Sequence, residues 1–331
     1  MKSAPIDPIP LSRARDALRP AATRARLVSS RTSELVVEPL ARLATLAATL
    51  APKAEPLWPV GIPRIPFTTL SAASTADIAR LRLGFDDVDP RYTLALKLPT
   101  RMNTLVFSVD QPLIESACLL VEGIPLLVVS NDLGFQQLRA CARELGHLLA
   151  IASRTTTGNE AHITPRLTLG ASWRAGPSEH FAANLAIELL IPTVGLGRAL
   201  RRVRELLKVT NRALGDVEIM YLARIFGVTF LDAARKCEHA RLLPLGGANA
   251  MGDFLERKFG GPEKRANDLG LPDRPGVAFP LAPVSFLSTL KSRIAAAEFS
   301  HAQAADALGT SEDALAAALA VDPRASEGLW Q

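Results

Sequence analysis

Aromatic residues are scarce in this chain: they make up 5% of its 331 residues, against a hydrophobic content of 48%. A core built from such a sequence must be mostly aliphatic and alanine. Cysteine is scarcer still. Cys118, Cys141 and Cys237 are widely spaced and odd in number, which argues against a disulfide framework or a Cys-rich metal site and for free thiols in a reducing compartment. No long basic run accompanies the formal charge of +5, so a nucleic-acid partner has little electrostatic support. Long apolar runs are missing too. The most apolar stretch, residues 112–129, is interrupted by Glu115, Glu122 and Pro125 and makes a poor bilayer span. Residues 1–20 lack the continuous apolar core of a secretory leader and carry Asp7, Arg13, Arg15, Asp16 and Arg19. The expectation is a cytoplasmic protein with no membrane partner. Its 21% charged residues and its length fit a globular chain with one large or two ordinary domains.

The periodic segments come next. Val36, Leu40, Leu43, Ala47 and Leu50 recur at helical spacing before Pro52. Pro56, Pro59, Pro63 and Pro66 predict an extended arm over residues 55–68, and a short helix follows over 76–83, with Thr75 as cap and Gly84 as its end. Residues 92–98, 104–109 and 124–129 read as strands of a small sheet. A helix over 136–150 would pack on it through Leu138, Cys141, Leu145 and Leu148. Gly146 in its middle costs about 1 kcal/mol against alanine, which implies close packing or room for a substrate strand. The polar segment 155–178 contains His162 and Trp173 and has the length of a flap over a cleft. Ser178 is then the cap of a helix over 179–191, ended by Pro192.

The helix over 136–150 carries Arg143-Glu144-Leu145-Gly146-His147, one residue away from the zinc-peptidase signature His-Glu-x-x-His. In the intact signature two histidines four residues apart share one helical face and one metal, and the glutamate activates a metal-bound water. A guanidinium stays protonated and has no lone pair for a metal, so Arg143 is not a ligand. Cys141, two positions earlier, points to a different face.

The run Gly123-Ile124-Pro125, Asn131, the near-signature at Arg143 to His147, and Glu188-Leu189-Leu190-Ile191-Pro192 resembles the ImmA/IrrE family of zinc metallopeptidases in order and spacing. The resemblance continues to about residue 243. There the helix 217–226, Gly227 and the helix 230–242 look like a family segment that packs beside the peptidase core, although the pair also has a helix-turn-helix-like pattern. The resemblance implies an α+β, zincin-like peptidase core, a small sheet packed on the signature helix, with N- and C-terminal helical extensions. The expected organisation is a loose leader over 1–32, a helix and Pro-rich arm over 33–69, the zincin-like domain over 70–243 and a C-terminal helical module over 244–331.

Departures from the family fall at its chemistry. Counted back from Pro192, the family's glutamate ligand position is Phe181. Glu179 and His180 lie on other faces, and Glu188 sits roughly 10 Å farther along a helix rising about 1.5 Å per residue. Glu144 then reads as a vestigial base, more simply an ion-pair partner of the neighbouring arginines. Arg143, His147 and Phe181 read as the lining of a former substrate cleft, with Arg143 in the vacated metal position. The leading expectation is a metal-free, catalytically inactive pseudo-peptidase, an intracellular regulatory module that captures a protein or peptide. A metal site completed around His147 by His180, His162 or Glu179 is the alternative. With it goes a zinc metallo-endopeptidase cleaving a repressor-like regulator.

Ser300 and Ser311 predict caps for two short terminal helices around Gly309. This hairpin is helix-turn-helix-like, but its last helix, Asp313 to Leu319, offers phosphates nothing, and a DNA-binding regulator is the weakest reading. Packing or homodimerisation is the preferred role of these helices.

Overall fold

A computed structural model describes residues 11–25, 30–50, 68–88, 91–121, 123–154, 159–166, 176–276 and 279–321. In chain order they form α1 (Leu11–Arg24), α2 (Ser30–Leu50), α3 (Thr69–Leu83), α4 (Leu94–Met102), β1 (Leu105–Val109), β2 (Ile114–Val121) and β3 (Ile124–Ser130). A 3-10 turn (Asn131–Gln136) leads into α5 (Gln137–Ala152), β4 (Glu160–Pro165), α6 (Pro177–Leu190), α7 (Thr193–Leu207), α8 (Asp216–Phe226) and α9 (Phe230–His239). The chain continues through α10 (Gly247–Phe259), α11 (Pro262–Asp268), α12 (Val284–Ala295), α13 (His301–Leu308) and α14 (Glu312–Ala320). This is a mixed α+β fold with a small four-stranded sheet. Its contacts divide it into two compact units, Met1–Ile65 with Ala95–Ala175 and Phe279–Gln331, and Pro66–Leu94 with Gly176–Ala278.

The first unit holds the sheet, in the order β1-β3-β2-β4. β1 runs parallel to β3, while β2 is antiparallel to both β3 and β4. Gly123, at φ 81°, occupies the tight connection from β2 to β3, where a side chain would be strained. Alternate strand residues, among them Phe107, Ala117, Leu119, Leu126, Val128 and Ile163, share one core with α1, α2 and α12–α14. Helix α5 packs against β2 and β3. With both faces covered, β1 is buried at every position, which explains why it shows no surface-strand alternation in sequence. Phe107 meets Phe286 of α12 edge to face at 5.1 Å, a contact that adds about 0.5–1.5 kcal/mol to the burial itself.

The second unit is helical among its described residues. α3 packs on α6 with Ala72, Ala76, Ala79 and Leu83 buried, and α7 to α11 assemble through α7 on α8, α8 on α9 and α9 on α10. Lys236, only 2% exposed, donates to Glu188 and, at 3.0 Å, to the Thr193 hydroxyl, and His239 Nδ1 lies 3.0 Å from Glu188. Gly227, at φ 63°, ends α8 as expected. In the helix-turn-helix-like pair, α9 buries Phe230, Asp232, Ala233, Ala234, Lys236 and Cys237.

Several elements differ from the sequence reading. The supposed loose leader contains α1, with Ala14, Leu18, Ala21 and Ala22 buried; alanines this small give a weak periodic signal. Residues 92–98 read as a strand, yet Leu94, Leu98 and Met102 are buried at the four-residue spacing of helix α4. α3 begins at Thr69, capped reciprocally by Thr68 and Ser71, so Thr75 lies inside it. The cap of α6 is Gly176, not Ser178. Residues 244–331 do not stay together either: α10 and α11 belong to the second unit, and α12–α14 join α1 and α2 over the sheet. Most of the Pro-rich arm, and Trp173, lie outside the described residues.

Candidate metal centre

Helix α5 is fastened at its start. Gln137 Nε2 donates at 3.2 Å both to the Ser108 hydroxyl of β1 and to the Ser130 carbonyl at the end of β3. Ser108 in turn donates to Asn131, the strand-end asparagine of the sequence pattern. This orientation buries Arg143, Glu144 and His147, at 7%, 0% and 2% exposure.

The pairing of β4 with β2 sets Thr164 opposite Ser116 and His162 opposite Cys118. With a side-chain period of two, His162 and Thr164 share a face. Glu144 receives both: its Oε1 accepts from Ser116 Oγ at 2.9 Å and Thr164 Oγ1 at 2.5 Å, and its Oε2 lies 3.3 Å from His162 Nδ1. Burial pushes the Glu144 carboxyl up, but the neighbouring His162, the charge of His147 and the Thr164 hydrogen bond outweigh it and hold the carboxyl at about 2. The carboxylate is thus ionised and enclosed. Arg143 places its guanidinium 3.6 Å from Glu115 of β2.

His147 and His162 stack, with ring centroids 3.5 Å apart and planes 16° from parallel. Glu179, in the first turn of α6, is 5% exposed, whereas its neighbour His180 faces solvent. Within the first unit, His147 and His162 thus set two imidazoles side by side against the Glu144 carboxylate, and the pair forms a candidate metal-binding site. No model of a known protein family matches the chain, and no curated protein matches it. What the site does must therefore be read from its own chemistry.

The alternative of a metal site around His147 finds a partner in His162. Two imidazoles are part of the donor set of several catalytic zinc sites. His162 also has the buried carboxylate behind Nδ1 that metal-binding histidines commonly carry. Among the expected alternatives, His162 comes to His147, while Glu179 and His180 belong to the second unit, the former buried and the latter exposed. Phe181, the presumed cleft residue, is 1% exposed within α6. Burial pushes the Cys118 and Cys141 thiols up, which makes them poor thiolate ligands.

Sequence reasoning placed Glu144 but not its partners. Ser116 and Thr164 carry no motif, and only the β2–β4 register brings them to one carboxylate.

Proposed function

We propose that the chain is a zinc-binding protein of zincin-like organisation, akin to the ImmA/IrrE peptidases, with His147 and His162 as ligands. On this reading it acts as a metallo-endopeptidase on a protein or peptide partner such as a repressor-like regulator. The three free, buried cysteines fit a reducing intracellular setting.

The observation that carries the proposal is the His147–His162 stack, with His147 buried, His162 half-buried and ionised Glu144 behind it. Stacked imidazoles are an awkward way to fill a core and a suitable way to prepare two ligands. Glu144 holds a negative charge at His162 Nδ1, so that nitrogen donates and Nε2 is left with the lone pair a cation needs. His147, one turn after Arg143 on α5, is oriented by a helix anchored through Gln137. Bound zinc would supply a Lewis acid and an acidified water.

One observation favours a second reading, capture of a peptide without cleavage. Both oxygens of Glu144 already accept hydrogen bonds, so the base of the intact signature is engaged elsewhere. Strand addition along β4, an edge of the sheet, would then hold the partner. Incubating zinc-reconstituted protein with a library of internally quenched peptides separates the two. Chelator-sensitive turnover, lost in Glu144→Gln, supports the peptidase. Saturable peptide binding without turnover supports capture, and neither activity contradicts both.

A further inference from the structure

The second compact unit carries a charged surface that the metal centre does not use. Helix α7 buries Gly195, Leu196, Leu200 and Val203 and packs on α8. Its other side exposes Arg198, Arg201 and Arg202, and none of the three has a hydrogen bond or ion pair among the described residues. Arg204, by contrast, donates to Glu218 at 2.6 Å. Residues 193–212 hold six basic side chains, Arg198, Arg201, Arg202, Arg204, Lys208 and Arg212, against one acidic residue, Glu205. That excess is concentrated on one helix and the turn after it. The absence of a contiguous basic run in sequence conceals this, because helical spacing, not adjacency, gathers the arginines.

We propose that this face of α7 docks on the phosphate backbone of double-stranded nucleic acid. Arg198, Arg201, Arg202 and Lys208 follow one another along the helix at steps of roughly 2–9 Å, at about 1.5 Å per residue. A duplex presents a phosphate charge about every 1.7 Å of its axis, so such a series meets phosphates without a sequence-dependent register. An acidic protein segment would have to match the spacing with its own carboxylates. A lipid surface is less well suited, since an interfacial helix inserts a broad apolar side, and α7 buries Leu196, Leu200 and Val203 in the unit and exposes only Val194 and Leu206 of its large apolar residues. Base reading is not part of the proposal: phosphate contacts position a protein on a duplex without specifying a sequence. This surface is independent of whether the metal centre is loaded.

The test is anisotropy of a labelled random-sequence duplex titrated with the full chain across a salt series. The wild type is expected to bind at about 50 mM salt with an affinity that falls steeply as salt rises. The triple variant Arg198→Gln, Arg201→Gln, Arg202→Gln is expected to keep its circular dichroism spectrum. It should lower the slope of log affinity against log salt by about 3, near 0.9 for each lost phosphate contact. Absence of duplex binding, or an unchanged slope in the folded triple variant, overturns the proposal. So does tighter binding to polyglutamate or to phosphatidylserine vesicles than to the duplex, which would assign the face to an acidic protein or a membrane.

Discussion

His162 Nδ1 lies 3.3 Å from Glu144 Oε2, a contact that joins a ring on β4 to a carboxylate on α5. Ser116 and Thr164 complete the enclosure of that carboxylate. Replacing Glu144 by alanine leaves two hydroxyls and a ring nitrogen facing a void. The expected loss is about 3 kcal/mol of stability by urea denaturation, the scale for breaking a buried charged network. Zinc affinity is expected to fall roughly 10- to 100-fold as His162 loses its orienting partner. Glu144→Gln, which keeps the shape, should lose less stability.

A second buried carboxylate gives a pH-dependent expectation. Burial pushes Glu188 up, but the His239 hydrogen bond and the charge and hydrogen bond of Lys236 outweigh it and hold the carboxyl below its ordinary value of 4.5. A depressed folded value means that the stabilisation is fully present above pH 4.5 and is lost as pH falls through the lower, folded value. Glu188→Gln is therefore expected to flatten the stability curve below that pH. At neutral pH it should cost about 3–5 kcal/mol, because Lys236 stays buried without its counter-charge. Urea midpoints of both proteins across an acid series measure this.

Legibility in the sequence followed the strength of local signals. Helix α5 was readable because apolar spacing and a near-signature coincide on it, and β1 and β3 because their apolar runs are flanked by turn residues. The region of α4 looked like a strand through Tyr92, Thr93 and Leu94; only the wider spacing of Leu94, Leu98 and Met102 reveals the helix. His162 had no spacing partner, since its place depends on strand register between segments far apart in sequence. Glu179 was set aside by counting from Pro192, a count that assumes the family's helix phase; the structure buries Glu179 and Phe181 alike. The interleaving of the units was invisible, because nothing local marks α12–α14 as neighbours of α1 and α2.

Gly195 marks a tight approach inside the second unit. Its amide donates to the Asp87 carbonyl at 3.0 Å, and a Cβ at this position would lie 2.4 Å from the Val88 carbonyl oxygen. Backbone, not a flexible side chain, is in the way. Gly195→Ala is expected to destabilise by about 1–3 kcal/mol in urea denaturation, whereas Gly197→Ala, with open space around it, should be neutral or slightly stabilising as a helix substitution.

The thiols provide a check on burial. Cys118, Cys141 and Cys237 are buried, and desolvation pushes Cys237 up to about 12. Ellman's reagent at neutral pH is expected to leave native protein unlabelled over minutes and to label three thiols per chain in denaturant.

The most direct measurement is elemental analysis of untagged, zinc-reconstituted protein beside His147→Ala, His162→Ala and His180→Ala. Near-stoichiometric zinc in the wild type and in His180→Ala, lost in the other two variants, is the predicted result. No zinc in the wild type, or zinc retained in both His147→Ala and His162→Ala, would contradict the metal centre.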